Sequence, residues 1–555
     1  MKKRKDLIWI IILSVIVLLP NIYLLCINNY LTINYPRILF LFVVLSLVIF
    51  ITPSLFLKAR NFFLFQGIFV ILAPLEMGHI YVTKTVTTSA FLLTIFDTDP
   101  RETKELLSML KYFIPVAIVA WFLYFYFVVK KVDNTWLIPS KKRRLCVLGS
   151  ILLFYLVLFI YTLIRSNNQN EIYLKRTEYF TEKFKKVYPS DLLIAFKETY
   201  QKRRTIKKER EKLKDFVFHA ERADTIKERE IYVLVIGESA RYDNFSINGY
   251  SKETSPLLEK MPNLVTYSDY YATANTTMNC IPLMLTRGTP LHFGISQEEK
   301  TLVDAFKEAG FKTYWLGNQS GGSEYIRRIA QDADGEYFNS AGENSVNYDE
   351  TLWPYFQEVL NKKDDKVLIV LHTLGNHFRY EFRYPPRFKV FTPCFDGDLN
   401  KSDMIPANRE KIMNTYDNSV LYTDYFLANT IHQVDSINVI SALIYVSDHG
   451  ENIFDTKENL LFHTNLEYTK YDIHVPLIIW CSDKYIARNE LKYDMIKQNR
   501  NKKLSASNLF YSILDIGNVT FPGQNVDKSF ASETLQEDSA RYIYTIESKA
   551  KKLGY

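Results

Sequence analysis

The segment Ser447-Asp448-His449-Gly450-Glu451 follows the apolar run 444–446, where a buried strand ends and hands its next side chains to a surface. A carboxylate beside an imidazole at the carboxyl edge of a parallel sheet is a common way for α/β enzymes to hold a divalent metal. A second such edge lies far upstream, where the run 231–236, nearly all β-branched or aliphatic, empties into Gly237-Glu238-Ser239-Ala240-Arg241. Between them stands Asn275-Thr276-Thr277-Met278-Asn279-Cys280-Ile281-Pro282, a polar turn leading into a helical stretch at 283–286. A hydroxyl at a helix amino terminus next to a dication is a candidate nucleophile, since metal binding lowers oxygen pKa values. Simple capping accounts for a threonine there too, and spacing alone does not choose among Thr273, Thr276 and Thr277.

Histidine extends the pattern. His377 follows a strand end in Leu374-Gly375-Asn376-His377, and His463 comes soon after the Asp448-His449 pair, so both can approach the same sheet edge. His372 sits inside a strand-like run and reads as packed, whereas His292, His432 and His474 read as structural or solvated.

These residues need a sheet to bring them together. From residue 230 strand-like segments at 232–236, 313–316, 367–371, 442–446 and 475–480 alternate with helical ones, which predicts an α/β domain with a mostly parallel sheet over 230–555. The front of the chain is different. Apolar stretches near 7–26, 38–57, 62–82, 110–129 and 145–164 each approach the ~20 residues that cross a bilayer core, predicting a five-helix transmembrane domain over 1–165. The first stretch is long for a cleaved signal and no small-residue site follows it, so it reads as an anchor. Basic clusters at 2–5, at Lys58 and Arg60, and at 130–131 with 141–144 all fall on one side of such a bundle. Basic loops favour the cytoplasm, so the chain after residue 165 is expected in the periplasm.

Residues 166–229 form a basic connector with apolar positions Tyr179, Phe180, Phe184, Tyr188, Leu192 and Phe196 at helical intervals, as suits amphipathic helices on a lipid surface. The net charge of +7 is partly spent on topology and gives no case for nucleic acid as a partner. Cys26 and Cys146 lie in or beside spans, so Cys280, Cys394 and Cys481 allow at most one intramolecular bridge outside them.

Taken together, the spans, the connector, Gly237-Glu238-Ser239, the threonine turn, Gly375-Asn376-His377, Asn414-Thr415-Tyr416-Asp417-Asn418, Ser447-Asp448-His449-Gly450-Glu451 and His463 resemble, in this order, the membrane-anchored phosphoethanolamine transferases of Gram-negative inner membranes. That family belongs to the alkaline phosphatase and sulfatase superfamily. The resemblance implies one tightly held zinc, with Glu238, Thr277, Asp448 and His449 as its ligands and Thr277 as the nucleophile. It implies His377 and His463 near a second metal or the substrate head group, Thr98 and Glu102 as a pair that seats the donor lipid, and Asn318 with Gln319 as a polar turn near the head group. The implied reaction moves phosphoethanolamine from phosphatidylethanolamine to a lipopolysaccharide acceptor, lipid A or core sugar, through a covalent threonine intermediate. Relatives often carry several disulfides in this domain, and here the cysteines are too few. The segment 378–386 resembles the branch that modifies core sugars more than the lipid A branch.

Rival readings are a glycerol phosphate transferase of the lipoteichoic acid synthase type and a non-catalytic scaffold that binds envelope lipids. A plain sulfatase activity is disfavoured, because no Cys/Ser-x-Pro-x-Arg context surrounds Thr277.

Overall fold

The computed structural model describes residues 2–27, 36–83, 86–89, 92, 113–168, 184–213, 215–224, 227–319, 324–339, 348–395, 403–463, 468–546 and 548–554. The chain divides into two compact units, one of residues 1–96 with 105–204 and one of residues 97–104 with 205–555. Thr98 and Glu102 lie outside the described residues, as do Tyr179 and Phe180 of the connector.

The first unit contains helices at each expected apolar stretch: α1 (Lys2–Ile27), α2 (Pro36–Ile51), α3 (Ala59–Thr83), α4 (Phe113–Lys131) and α5 (Lys141–Asn168). Among the described residues three helices, at Ile8–Cys26, Ala59–Gly78 and Lys141–Tyr161, are long and apolar enough to cross a membrane. α3 is the inner helix: Phe62 and Phe63 are buried, Trp121 Nε1 on α4 donates to the Val70 carbonyl at 3.0 Å, and Tyr124 Oη donates to the Phe63 carbonyl at 2.7 Å. Ile11, Phe122 and Leu156 are exposed, the arrangement of a bundle whose outer surface suits hydrocarbon. The connector helix α6 (Ser190–Leu213) buries Leu192 with Tyr188, Phe69 and Ala73, while Leu193 and Tyr200 stay exposed. Part of its apolar side therefore packs on protein rather than facing lipid. Asn21 clamps the segment before it, accepting from Tyr188 N at 2.9 Å and donating to the Tyr188 carbonyl at 2.8 Å.

The second unit is built on a seven-stranded sheet of β1 (Glu230–Gly237), β2 (Leu264–Thr266), β3 (Lys312–Gly317), β4 (Gly335–Phe338), β5 (Lys366–His372), β6 (Ile440–Ser447) and β7 (Leu477–Cys481), in the spatial order β2-β7-β6-β1-β5-β3-β4. The sheet is mixed. β6, β1, β5, β3 and β4 pair in parallel, but β7 runs antiparallel to both β6 and β2. The strand expected at 475–480 thus forms with reversed direction: the chain leaves β6 at Ser447, passes through residues 448–476 and re-enters the sheet beside the end of β6, which a hydropathy pattern does not register.

All eight residues of β1 are buried, as both faces of the central strand are covered. Tyr232, Leu234 and Ile236 enter one core with Phe306, Leu509 and Phe510, and Ile231, Val233 and Val235 enter the other with Val420 and Leu427 of helix α8 (Arg409–Asp435). That two-sided burial is why the strand reads as a continuous aliphatic run instead of an alternating one. The register sets Gly237 beside Ser447, Ile236 beside His372 and Gly317 beside His372, so four neighbouring strands end together.

Candidate metal centre and nucleophile

Each of those four ends turns sharply, and the turns carry the polar residues. After β1, Ser239 takes φ +56, a left-handed conformation that non-glycine residues seldom adopt, and turns the chain directly after Glu238. After β5, Gly375 has φ +49, and a Cβ there would stand 2.8 Å from Glu238 N and O, so only glycine lets the His377 turn pass this close. After β6, a Cβ on Gly450 would lie 2.2 Å from the Tyr471 carbonyl oxygen. Helix α7 (Thr277–Leu285) opens on Thr277 itself, with Thr276 as its cap residue.

These turns converge. Thr277 Oγ1 donates to Glu238 Oε2 at 3.1 Å and lies 3.2 Å from His449 Nε2. His449 Nε2 is 3.2 Å from Glu238 Oε1 and 3.3 Å from Asp448 Oδ2. His449 Nδ1 is 2.8 Å from the Gly450 carbonyl, an acceptor only, so Nδ1 carries the proton and Nε2 is the nitrogen presented to the cluster. Glu238, Asp448 and His449 form one group able to hold a metal ion, with ligand atoms within 4.8 Å of one another, and Glu238, His377 and His463 form a second. Glu238 belongs to both.

Negative charge is concentrated here. Glu238, Asp448 and His449 are at most 1% exposed. Burial would push the His449 imidazole down, but Asp448 and Glu238 outweigh it and hold it up at about 10. Burial, reinforced by Glu238, pushes Asp448 up to about 7, while Glu238 is held well below the usual carboxylate range because the neighbouring histidines overcome its burial. Asp448 Oδ2 is buried and turned to His449 Nε2 and the Thr277 hydroxyl. Two carboxylates, an imidazole nitrogen and a hydroxyl, all turned to one buried point, are the donor set of a zinc-type site, so the residues fit such an ion.

The outer shell is also ordered. His463 Nδ1 lies 3.2 Å from Glu451 Oε1, and burial pushes the His463 ring well below its ordinary pKa, so the neutral ring donates from Nδ1. Burial pushes Glu451 up to about 8. Asn318 directs its amide to Asp349 Oδ1 at 2.8 Å, and the adjacent Gln319 reaches Glu238 instead. His372 is packed as expected, 0% exposed with its ring against Trp315. His474 stacks between Tyr242 and Tyr271. Cys280 and Cys481 are buried free thiols.

The Asn414–Asn418 motif serves as a brace. On α8, Tyr416 Oη bonds the Glu238 turn, Asp417 accepts from Lys252, Tyr250 and Asn244, and Asn418 Oδ1 accepts from Val390 N and Phe391 N. Asp349, which also accepts from Leu374 N and Gly375 N, lies in no motif and had no sequence signal.

Residues 230–519 match the sulfatase family, more than half of the chain. The chain belongs to that family. Within the sulfatase family it is 29% identical over 325 residues to the phosphoethanolamine transferase EptC of Escherichia coli K12, covering 56% of this chain and 54% of that protein. It is 30% identical over 303 residues to EptA of the same strain, covering 53% and 54%. The chain thus spans about half the length of the curated relatives it matches. The zinc complex of the periplasmic domain of Escherichia coli EptC superposes with a TM-score of 0.54 at 26% identity, covering 60% of this chain and 94% of that one. The integral membrane protein EptA of Neisseria meningitidis shares the fold over 95% of this chain and 96% of its own, with a TM-score of 0.65 at 19% identity.

Proposed function

We propose that this sulfatase-family protein is a zinc-dependent phosphoethanolamine transferase that takes phosphatidylethanolamine as donor and a lipopolysaccharide phosphate or sugar as acceptor. One observation carries the reading: the Thr277 hydroxyl heads a helix and touches both Glu238 and His449. The likeness to EptC and EptA supplies the substrate class.

Glu238, Thr277, Asp448 and His449 would hold the ion, which supplies positive charge to a phosphoryl oxygen and to the threonine oxygen. The chain's own residues account for the rest. Thr277 Oγ, its proton drawn to Glu238 Oε2, attacks phosphorus. The bond from phosphorus to the lipid oxygen breaks, that oxygen takes up a proton, and diacylglycerol leaves with phosphoethanolamine retained on Thr277. An acceptor oxygen then attacks the same phosphorus, loses its proton, and the threonine oxygen departs. His377 and His463, grouped with Glu238, would contact the phosphoryl or ethanolamine groups. In this reading 1–165 is a five-span inner-membrane anchor, 166–229 the connector, and 230–555 the periplasmic catalytic domain.

Mass spectrometry of lipid A and core oligosaccharide from cells with and without the protein tests the assignment. A phosphoethanolamine increment that disappears in Thr277→Ala is expected. An increment of glycerol phosphate on another glycan, or none at all, would replace this reading by the glycerol phosphate or scaffold one.

A further inference from the structure

The two oxygens of Glu238 have separate partners. Oε1 accepts from Ser239 Oγ at 2.9 Å and faces His449 Nε2, while Oε2 accepts from Thr277 Oγ1 at 3.1 Å and from Gln319 Nε2 at 3.0 Å. The Gln319 amide has only one workable orientation. Its Nε2 also donates to the Thr373 carbonyl at 3.1 Å, and both partners are pure acceptors, so flipping the amide would set Oε1 against two oxygens.

The turn that carries Gln319 is anchored in turn. Asn318 N donates to the His372 carbonyl at 2.8 Å, and Asn318 Nδ2 donates to Asp349, which also accepts from Leu374 N and Gly375 N. The ends of β3 and β5 are therefore tied together, and Gln319 passes that rigidity to the end of β1. A carboxylate can rotate about its last side-chain bond; two fixed donors on Oε2 stop that rotation and decide which oxygen meets the threonine hydroxyl.

We propose that Gln319 is a positioning residue that fixes the plane of the Glu238 carboxylate, and with it the alignment of Thr277, so that metal affinity and nucleophile activation both depend on it. This rests on the zinc-site reading given above. Partners that orient metal-binding carboxylates are typically worth ~10–100-fold in metal affinity or activity.

The test compares full-length wild type, Gln319→Met and Gln319→Ala in detergent. Zinc affinity is read by competition with a chromophoric chelator, transfer is read as kcat and KM for the donor lipid, and Tm is read on zinc-free protein. Methionine keeps the length and removes the donors, so zinc affinity and kcat should each fall ~10–100-fold, with KM within about twofold of wild type and a zinc-free Tm lowered only by the lost bond to the Thr373 carbonyl. The alanine variant reads the same contrast if methionine does not fold. Wild-type zinc affinity and kcat in the variants would overturn the inference alone, and a rise in KM at unchanged kcat would make Gln319 a head-group contact and overturn it too. Absence of zinc binding by wild type would bring down the zinc-site reading, and the inference with it.

Discussion

Tyr416 Oη donates to the Ser239 carbonyl at 2.8 Å, joining two residues 177 positions apart in the chain, and accepts from Arg241 N at 2.9 Å. One buried phenol thus secures both sides of the turn that carries Glu238. Tyr416→Phe leaves two buried backbone groups unpaired, each worth roughly 1–3 kcal/mol, so thermal unfolding should show a clear loss of stability. Turnover should fall with it, because the left-handed Ser239 needs its surroundings to hold it.

Thr277 gives the most direct chemical contrast. Thr277→Ala removes the attacking oxygen and is expected to cut transfer by ~10³-fold or more, while Thr277→Ser retains a hydroxyl at the helix start and keeps measurable activity. Trapping of radiolabelled phosphoethanolamine on the protein should follow the same order and be absent in the alanine variant.

Removal of metal should act on stability as well as on rate. A ligand that binds the folded state alone stabilises it by mass action, about 2.7 kcal/mol at a hundredfold excess over Kd. Chelation should therefore lower Tm and abolish transfer, and added zinc should restore both; the Asp448→Asn variant should show a much smaller Tm response to zinc.

Asp424 predicts a pH dependence away from the metal. Buried on α8, it accepts from Leu257 N and Leu258 N, and burial pushes it up to about 7 from an ordinary 3.8. The folded state then keeps a proton that the unfolded chain releases, so this contribution is complete at low pH and is lost as pH rises towards 7. One such proton gives a slope of at most ~1.4 kcal/mol per pH unit. Melting curves of wild type and Asp424→Asn between about pH 4.5 and pH 7.5 should diverge, with the wild type losing stability relative to the variant as pH rises.

Gly450 tests the steric argument. An added Cβ would meet the Tyr471 backbone oxygen at 2.2 Å, and backbone cannot swing aside as a flexible side chain does. Gly450→Ala is expected to displace His449 and to destabilise the domain by about 1–3 kcal/mol, with reduced zinc affinity measured by chelator competition.

Local chemistry was legible along the chain. The runs 231–236 and 444–446 are β-branched or aliphatic apart from Tyr232 and Tyr445 because both faces of a central strand are buried, and a polar motif immediately after such a run has to lie at a sheet edge. Glu238, Asp448, His449, His377 and His463 could be picked out on that ground, and the apolar helices of the first unit could be read from length and hydropathy. Pairings between distant segments were not legible. Spacing alone did not separate Thr277 from Thr273 and Thr276; the resemblance did, and the contact of Thr277 with Glu238 appears only in the fold, as do the reversal of β7 and the contact of Gln319 rather than Asn318 with Glu238. Sequence records what each residue prefers locally, through burial, turn geometry and charge; which oxygen meets which nitrogen depends on strand order and register, and those follow from packing the whole chain at once.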